Sequence, residues 1–175
     1  MGGSYSQPAE VESVNFPALK ASLPSMSGKT VAVTGCTSGT GFILAKVCLE
    51  LGARVIMLNR ASARSDAAKE QLEALGKGTV ASVPCDLMDF DSVRAAGATL
   101  RKEFDAIDVL VNNAGVMGVK DEATKDGYDV QMQTNHLSHF LLTSLAWPLL
   151  QKAAELRGEA RVVQHSSGAR RSNRQ

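Results

Sequence analysis

The sequence predicts an α/β protein built on a doubly wound parallel sheet. Three observations carry this prediction. Short apolar runs alternate with stretches of helical periodicity from about residue 30 onward. A glycine-spaced turn, Thr34-Gly35-Cys36-Thr37-Ser38-Gly39-Thr40-Gly41, joins the first apolar run to the first helix. The connections are short, which favours parallel strands with right-handed crossovers and helices on both faces.

The elements follow in order. Residues 31–33 form the first strand, and residues 39–51 a helix whose Leu44, Val47, Cys48 and Leu51 recur at helical spacing. Gly52 stands where a glycine ends a helix. Residues 55–58 make the second strand. A helix over about residues 64–75 carries Ala68, Leu72 and Leu75 on one face. Residues 79–83 alternate polar and apolar, as a half-buried strand near a sheet edge does. Val93, Ala96, Leu100 and Phe104 mark the next helix, and residues 109–111 the fourth strand. A long helix is expected over about residues 126–151, broken or bent near Pro148. Residues 161–164 supply the fifth strand.

Composition bounds the rest. The chain has 175 residues, 44% of them hydrophobic, enough for one domain with a proper core. Its 19 basic and 18 acidic residues are mixed, so no field points to nucleic acid or an anionic membrane. Arg170, Arg171 and Arg174 read as a solvated end. Cys36, Cys48 and Cys85 lack Cys-x-x-Cys spacing, which suits a reduced intracellular, cytoplasmic setting. Cys36 lies near a helix start that could lower its pKa, although small filler is the preferred reading. No apolar run approaches a membrane span. Residues 1–27, rich in Ser, Pro and Ala, read as a flexible leader before a single domain over residues 28–175. The leader lacks the layout of a secretory signal. Its start, Met1-Gly2-Gly3-Ser4-Tyr5-Ser6, fits the short pattern for N-myristoylation at Gly2.

The glycine turn has a chemical meaning. Gly35 allows the tight turn, Gly39 lets backbone approach phosphates, and Gly41 lets helix and strand pack closely. The unpaired N–H groups at the helix start, around Thr37, Ser38 and Thr40, then face an anion favoured by the helix dipole. A strand before, an amphipathic helix after and a second strand beyond make this the signature of a dinucleotide pyrophosphate site.

Several separated motifs agree with it. The turn, Asp86-Leu87 after the third strand, Asn112-Asn113-Ala114-Gly115 after the fourth, Asn135 in the long helix and Ser166-Ser167 after the fifth occur in that order. On these motifs the chain resembles the short-chain dehydrogenase/reductase family over about residues 28–169. Thr124-Lys125-Asp126-Gly127-Tyr128 with Asn135-His136-Leu137-Ser138-His139-Phe140 is similar to the branch of retinol dehydrogenases, WW-domain oxidoreductases and protochlorophyllide reductases. The resemblance implies a Rossmann-like fold with strand order 3-2-1-4-5, and interconversion of an alcohol and a carbonyl, or reduction of a related double bond, on a small lipophilic substrate. It also implies that Asp86 accepts from the adenine amino group and that Leu87, Asn113, Ala114 and Gly115 border the cofactor. A homo-oligomer is compatible with it.

Cofactor choice follows from charge. NAD-binding versions of the fold carry an acid near the end of the second strand, on the ribose 2′-hydroxyl. Here that place reads Leu58-Asn59-Arg60. Arg60, helped by Arg64, suits the 2′-phosphate of NADP(H).

Hydride transfer at a carbonyl also needs a proton moved at its oxygen. In the family this work falls to Asn, Ser, Tyr and Lys. The resemblance assigns Asn135 and Ser167, with Ser166 the second choice, as catalytic. Tyr and Lys are not found: the tyrosines are Tyr5 and Tyr128, and neither has lysine four places later. The sequence therefore reads as cut before the Tyr-x-x-x-Lys segment. It is expected to be inactive by itself and poorly soluble, with residues 161–165 an open edge. The alternative is a non-catalytic fragment that binds nucleotide or a partner.

Two further patterns carry no site. Ser27-Gly28-Lys29-Thr30 mimics the end of a P-loop, but Leu23 stands where its first glycine belongs. His136 and His139, three apart on a helix, lack the acid or cysteine that would complete a metal site, so packing or polar bonding is the reading for both.

Overall fold

The computed structural model describes residues 13–168. Gly2, Tyr5, Ser6 and the arginines Arg170, Arg171 and Arg174 lie outside the described residues. The elements are α1 (Phe16–Ser22), β1 (Thr30–Thr34), α2 (Gly39–Glu50), β2 (Arg54–Asn59), α3 (Ala63–Glu73) and β3 (Thr79–Pro84). They continue as α4 (Phe90–Glu103), β4 (Val109–Asn112), α5 (Val130–Met132), a π-turn (Gln133–Leu137), α6 (Ser138–Arg157) and β5 (Arg161–Gln164).

The five strands form one parallel sheet in the order β3-β2-β1-β4-β5. Val31 of β1 is in register with Val55 of β2 on one side and Val109 of β4 on the other. β1 and β2 are apolar almost throughout and buried, because helices cover both faces of a parallel sheet. β3 is half exposed, as its alternation predicts for an edge.

Right-handed crossovers put α2 and α3 on one face and α4 and α6 on the other. The first face buries Val31, Val33, Leu49, Val55, Met57 and Leu72. The second buries Ile56, Leu58, Leu100, Ile107, Leu110, Leu142 and Leu150. Asp89 starts α4 by accepting from the backbone N–H groups of Asp91 and Ser92, while Arg101 and Lys102 face the negative end of its dipole. Gly52, at φ +92°, ends α2: its N–H reaches the Leu49 carbonyl at 2.9 Å, and that of Ala53 the Cys48 carbonyl at 3.0 Å.

Four sequence expectations are corrected by the fold. The buried face of α2 includes Ala45 and Leu49, while Leu44 and Leu51 are only half-buried. Within the segment read as a leader, residues 16–22 form α1, held by a Lys20–Glu50 ion pair, and Met26 packs on the core with its N–H on the Leu51 carbonyl. The long helix runs from residue 130 to 157, later at both ends than expected; Asp129 caps its start by accepting from the Met132 N–H. Pro148 does not break it. Proline removes only the ladder bond to the Ser144 carbonyl, and Ala146, Leu149 and Leu150 stay buried around it. The irregularity sits at the π-turn instead.

Candidate functional site

The order of the sheet reverses between β1 and β4, and the carboxyl ends of parallel strands open a crevice there. A cavity of about 440 Å³ fills that place. It is lined by Gly35, Thr37, Ser38, Thr40 and Gly41 of the glycine turn, Arg60, Ser62 and Arg64 after β2, Asp86 and Leu87 after β3, and Asn113, Ala114 and Gly115 after β4.

The turn is fixed from beneath by buried and half-buried polar bonds. The Cys36 N–H donates to Asn59 Oδ1 at 2.8 Å. The Asn113 amide donates to the carbonyls of Thr34 and Gly35, at 2.9 and 3.2 Å. Thr34 Oγ1 accepts the N–H groups of Asn113 and Ala114, both at 2.9 Å. Sterics then set the glycines. Gly35 is at φ +71°, and a Cβ there would lie 2.9 Å from Ala114. A Cβ on Gly41 would lie 2.3 Å from the Gly35 carbonyl oxygen and 2.5 Å from the Asn113 amide. Gly39 differs. Its φ of +56° favours glycine, yet the space above it is open, leaving the backbone accessible to a ligand. Ser38 begins α2 without a side-chain cap, and the first turn holds no acid. The helix start thus presents N–H groups and a positive dipole end to the crevice.

Beyond β2 the lining turns cationic. Arg60 and Arg64 are exposed at the rim, and Arg64 Nη2 donates to Ser38 Oγ at 2.5 Å. Asp86 is the only acid among the described lining residues; its Oδ1 accepts the Met88 N–H at 2.9 Å, so it also shapes its own loop. Burial pushes the Cys36 thiol up to about 12, with hydrogen bonds from its surroundings opposing less strongly. The helix start does not activate it; its Sγ lies 2.9 Å from the Val33 carbonyl oxygen.

Asn135 sits in the π-turn, outside the cavity lining, and its side chain clamps the loop after β4. Oδ1 accepts the Val116 N–H and Nδ2 donates to the Val116 carbonyl, both at 2.8 Å. A Cβ on Gly115 would come within 3.3 Å of that Oδ1. Ser166 and Ser167 follow β5, exposed, and neither lines the cavity. His165 lines it instead. Because the Asn113 amide nitrogen serves two carbonyls, its Oδ1 faces His165 Nδ1 at 2.9 Å, and that nitrogen carries the hydrogen. Asn59, Thr34, His139 and His165 all escaped sequence reasoning as site residues. A buried Asn at a strand end is the one local sign that could have flagged the first. Among the described residues no three His, Cys, Asp or Glu gather to hold a metal ion, and no helix is long and apolar enough to cross a membrane.

A glycine-turn crevice at the switch point of a parallel sheet defines the class: a dinucleotide-binding α/β domain of Rossmann type. The profile described as short chain dehydrogenase matches residues 29–174, and the chain belongs to the short-chain dehydrogenase/reductase family of oxidoreductases, in its retinol-dehydrogenase-like branch. Mouse retinol dehydrogenase 14 is 43% identical over an alignment of 143 residues that covers 75% of this chain and 43% of the mouse protein. Among solved structures, a Pseudomonas aeruginosa RhlG/NADP active-site complex is 31% identical with a TM-score of 0.68, covering 79% of this chain and 54% of that one. An NADH-dependent reductase A1-R′ complexed with NAD is 27% identical with a TM-score of 0.71, covering 84% and 62%. The chain spans somewhat under half the length of the first curated relatives it matches.

Proposed function

We propose that residues 28–175 form the NADP(H)-binding part of an oxidoreductase that acts on an alcohol, carbonyl or related double bond of a small lipophilic substrate. One observation carries the cofactor choice: Arg60 and Arg64 line the crevice beyond β2, and among the described lining residues the one carboxylate, Asp86, follows β3 and not β2. A 2′-phosphate gains two charge-assisted partners there, whereas NAD loses the acid that would hold its 2′-hydroxyl. The RhlG/NADP complex agrees with this choice, and the NAD complex marks the alternative the arginines argue against. The lipophilic substrate rests on the similarity to retinol dehydrogenase 14.

In this reading Gly35, Thr37, Ser38, Gly39, Thr40 and Gly41 hold the pyrophosphate, Asp86 and Leu87 the adenine, and Asn113 to Gly115 the ribose and nicotinamide side. When bound, the cofactor supplies or accepts a hydride. Ser167 would hold the substrate oxygen, and Asn135 would order the proton path. The 175 residues contain no Tyr-x-x-x-Lys, so this chain is expected to bind cofactor without turnover.

Calorimetric titration with NADPH and NADH tests the cofactor choice. NADPH is expected to bind about tenfold more tightly, and the double substitution Arg60→Ala, Arg64→Ala to remove that preference while sparing NADH. Equal affinity for both cofactors in the unaltered chain would refute the NADP assignment.

A further inference from the structure

His139 is 2% exposed and lies between the two halves of the site. Its Nε2 is 2.9 Å from Thr34 Oγ1, below the glycine turn, and its Nδ1 is 3.2 Å from the Asn135 carbonyl oxygen, in the π-turn. A carbonyl can only accept, so Nδ1 carries the hydrogen and Nε2 is the acceptor. Thr34 leads to the same tautomer. Its oxygen already accepts two N–H groups, from Asn113 and Ala114. Its own hydrogen therefore points outward, toward Nε2 at 2.9 Å in preference to the Val111 carbonyl at 3.4 Å. An Nε2–H tautomer would aim a third donor at that oxygen and leave the Asn135 carbonyl facing a bare ring nitrogen.

The bonds close into a ring. From Thr34 the path runs through His139 to the Asn135 backbone, through the Asn135 side chain to Val116, and along the loop back to Ala114 and Thr34. Of the ring, Ala114 and Val116 line the crevice. Burial, and to a lesser degree His136, push the His139 pKa below its ordinary value, in keeping with a neutral imidazole.

We propose that His139 is a positioning residue that fixes the cofactor loop after β4 against both the glycine turn and Asn135, through a neutral Nδ1–H imidazole. The proposal rests on the reading of this crevice as the cofactor site. Its two arms can be cut separately. His139→Asn keeps a donor near Nδ1 for the Asn135 carbonyl, and His139→Gln keeps an amide near Nε2 for Thr34, while His139→Leu removes both.

The test uses the full 175-residue chain, with imidazole and backbone ¹H–¹⁵N spectra read at neutral pH. The unaltered protein should show the Nδ1–H tautomer at His139. His139→Asn should leave the Val116 amide in place and displace those of Asn113 and Ala114, and His139→Gln should do the reverse. NADPH affinity should fall about tenfold in His139→Leu and less in either single-arm variant. An Nε2–H tautomer, or amides of Val116, Asn113 and Ala114 that respond alike to both single-arm substitutions, would overturn the proposal. If His139→Leu does not fold, the other two variants still decide it. If the unaltered chain binds no NADPH, the cofactor reading fails, while tautomer and amides still judge the role of His139.

Discussion

The two corners at the carboxyl end of the sheet are built differently. At the β1–β4 corner, backbone and side chains are locked by buried polar bonds: Cys36 to Asn59, Thr34 to Asn113 and Ala114, His139 to Thr34. At the β5 corner, Arg161, Val163 and Gln164 are exposed, Val163 by 44%, as are Ser166 and Ser167. This corner is tied to the first through Asn112 and Asn113, which meet the His165 N–H at 3.0 Å and its ring at 2.9 Å. A pyrophosphate site needs a rigid cradle before the ligand arrives, since ordering it afterwards would weaken binding. The first corner meets that need within this chain. The second, which carries Ser166 and Ser167, is the more exposed of the two.

The sharpest way to break the contrast is to damage the locked corner. Gly41→Val would drive a side chain into the Gly35 carbonyl and the Asn113 amide, neither of which can yield without unmaking the turn. Overpacking of this kind costs about 1–3 kcal/mol or more. NADPH binding should disappear in calorimetry, with a lowered melting temperature. The matching change at the open corner, Val163→Thr, should leave both nearly unchanged, within about 0.5 kcal/mol. If Gly41→Val bound NADPH normally, the packing argument for the turn would be wrong.

A smaller effect sharpens the same contrast. The His139 pKa is lowered in the folded chain from the ordinary value of 6.5, chiefly by burial. The unfolded chain therefore takes up its proton first as pH falls. Stability from this group is fully present above pH 6.5 and is lost as pH drops below it toward the depressed folded value. Thermal melts between neutral pH and pH 5 should show a shallower acid loss in His139→Gln than in the unaltered chain. Identical slopes would mean that the buried ring does not govern this window.

Much of this was legible in the sequence, for identifiable reasons. Apolar runs and glycine spacing report strands and a tight turn directly, so the strands and the residues of the turn could be read from local pattern, while the sheet order followed from the family resemblance. The π-turn could not, because Asn135 and its neighbours keep helical spacing on paper; the extra residue per turn shows only when the Val116 clamp is seen. Likewise His139 looks like any histidine on a helix. Its meaning comes from Thr34, 105 positions away, and no spacing rule links the two. Pro148 misled for the opposite reason: a local breaker was overridden by tertiary packing of the buried residues around it.

The central claim is that the glycine turn at the locked corner cradles the diphosphate of a dinucleotide. Backbone ¹H–¹⁵N spectra of the 175-residue chain, recorded as NADPH is added, test it most directly. The amides of Ser38, Gly39, Thr40 and Gly41 should shift most and saturably, with those of Val162 and Val163 nearly still. Shifts spread evenly over the chain, or none at the turn, would contradict the account.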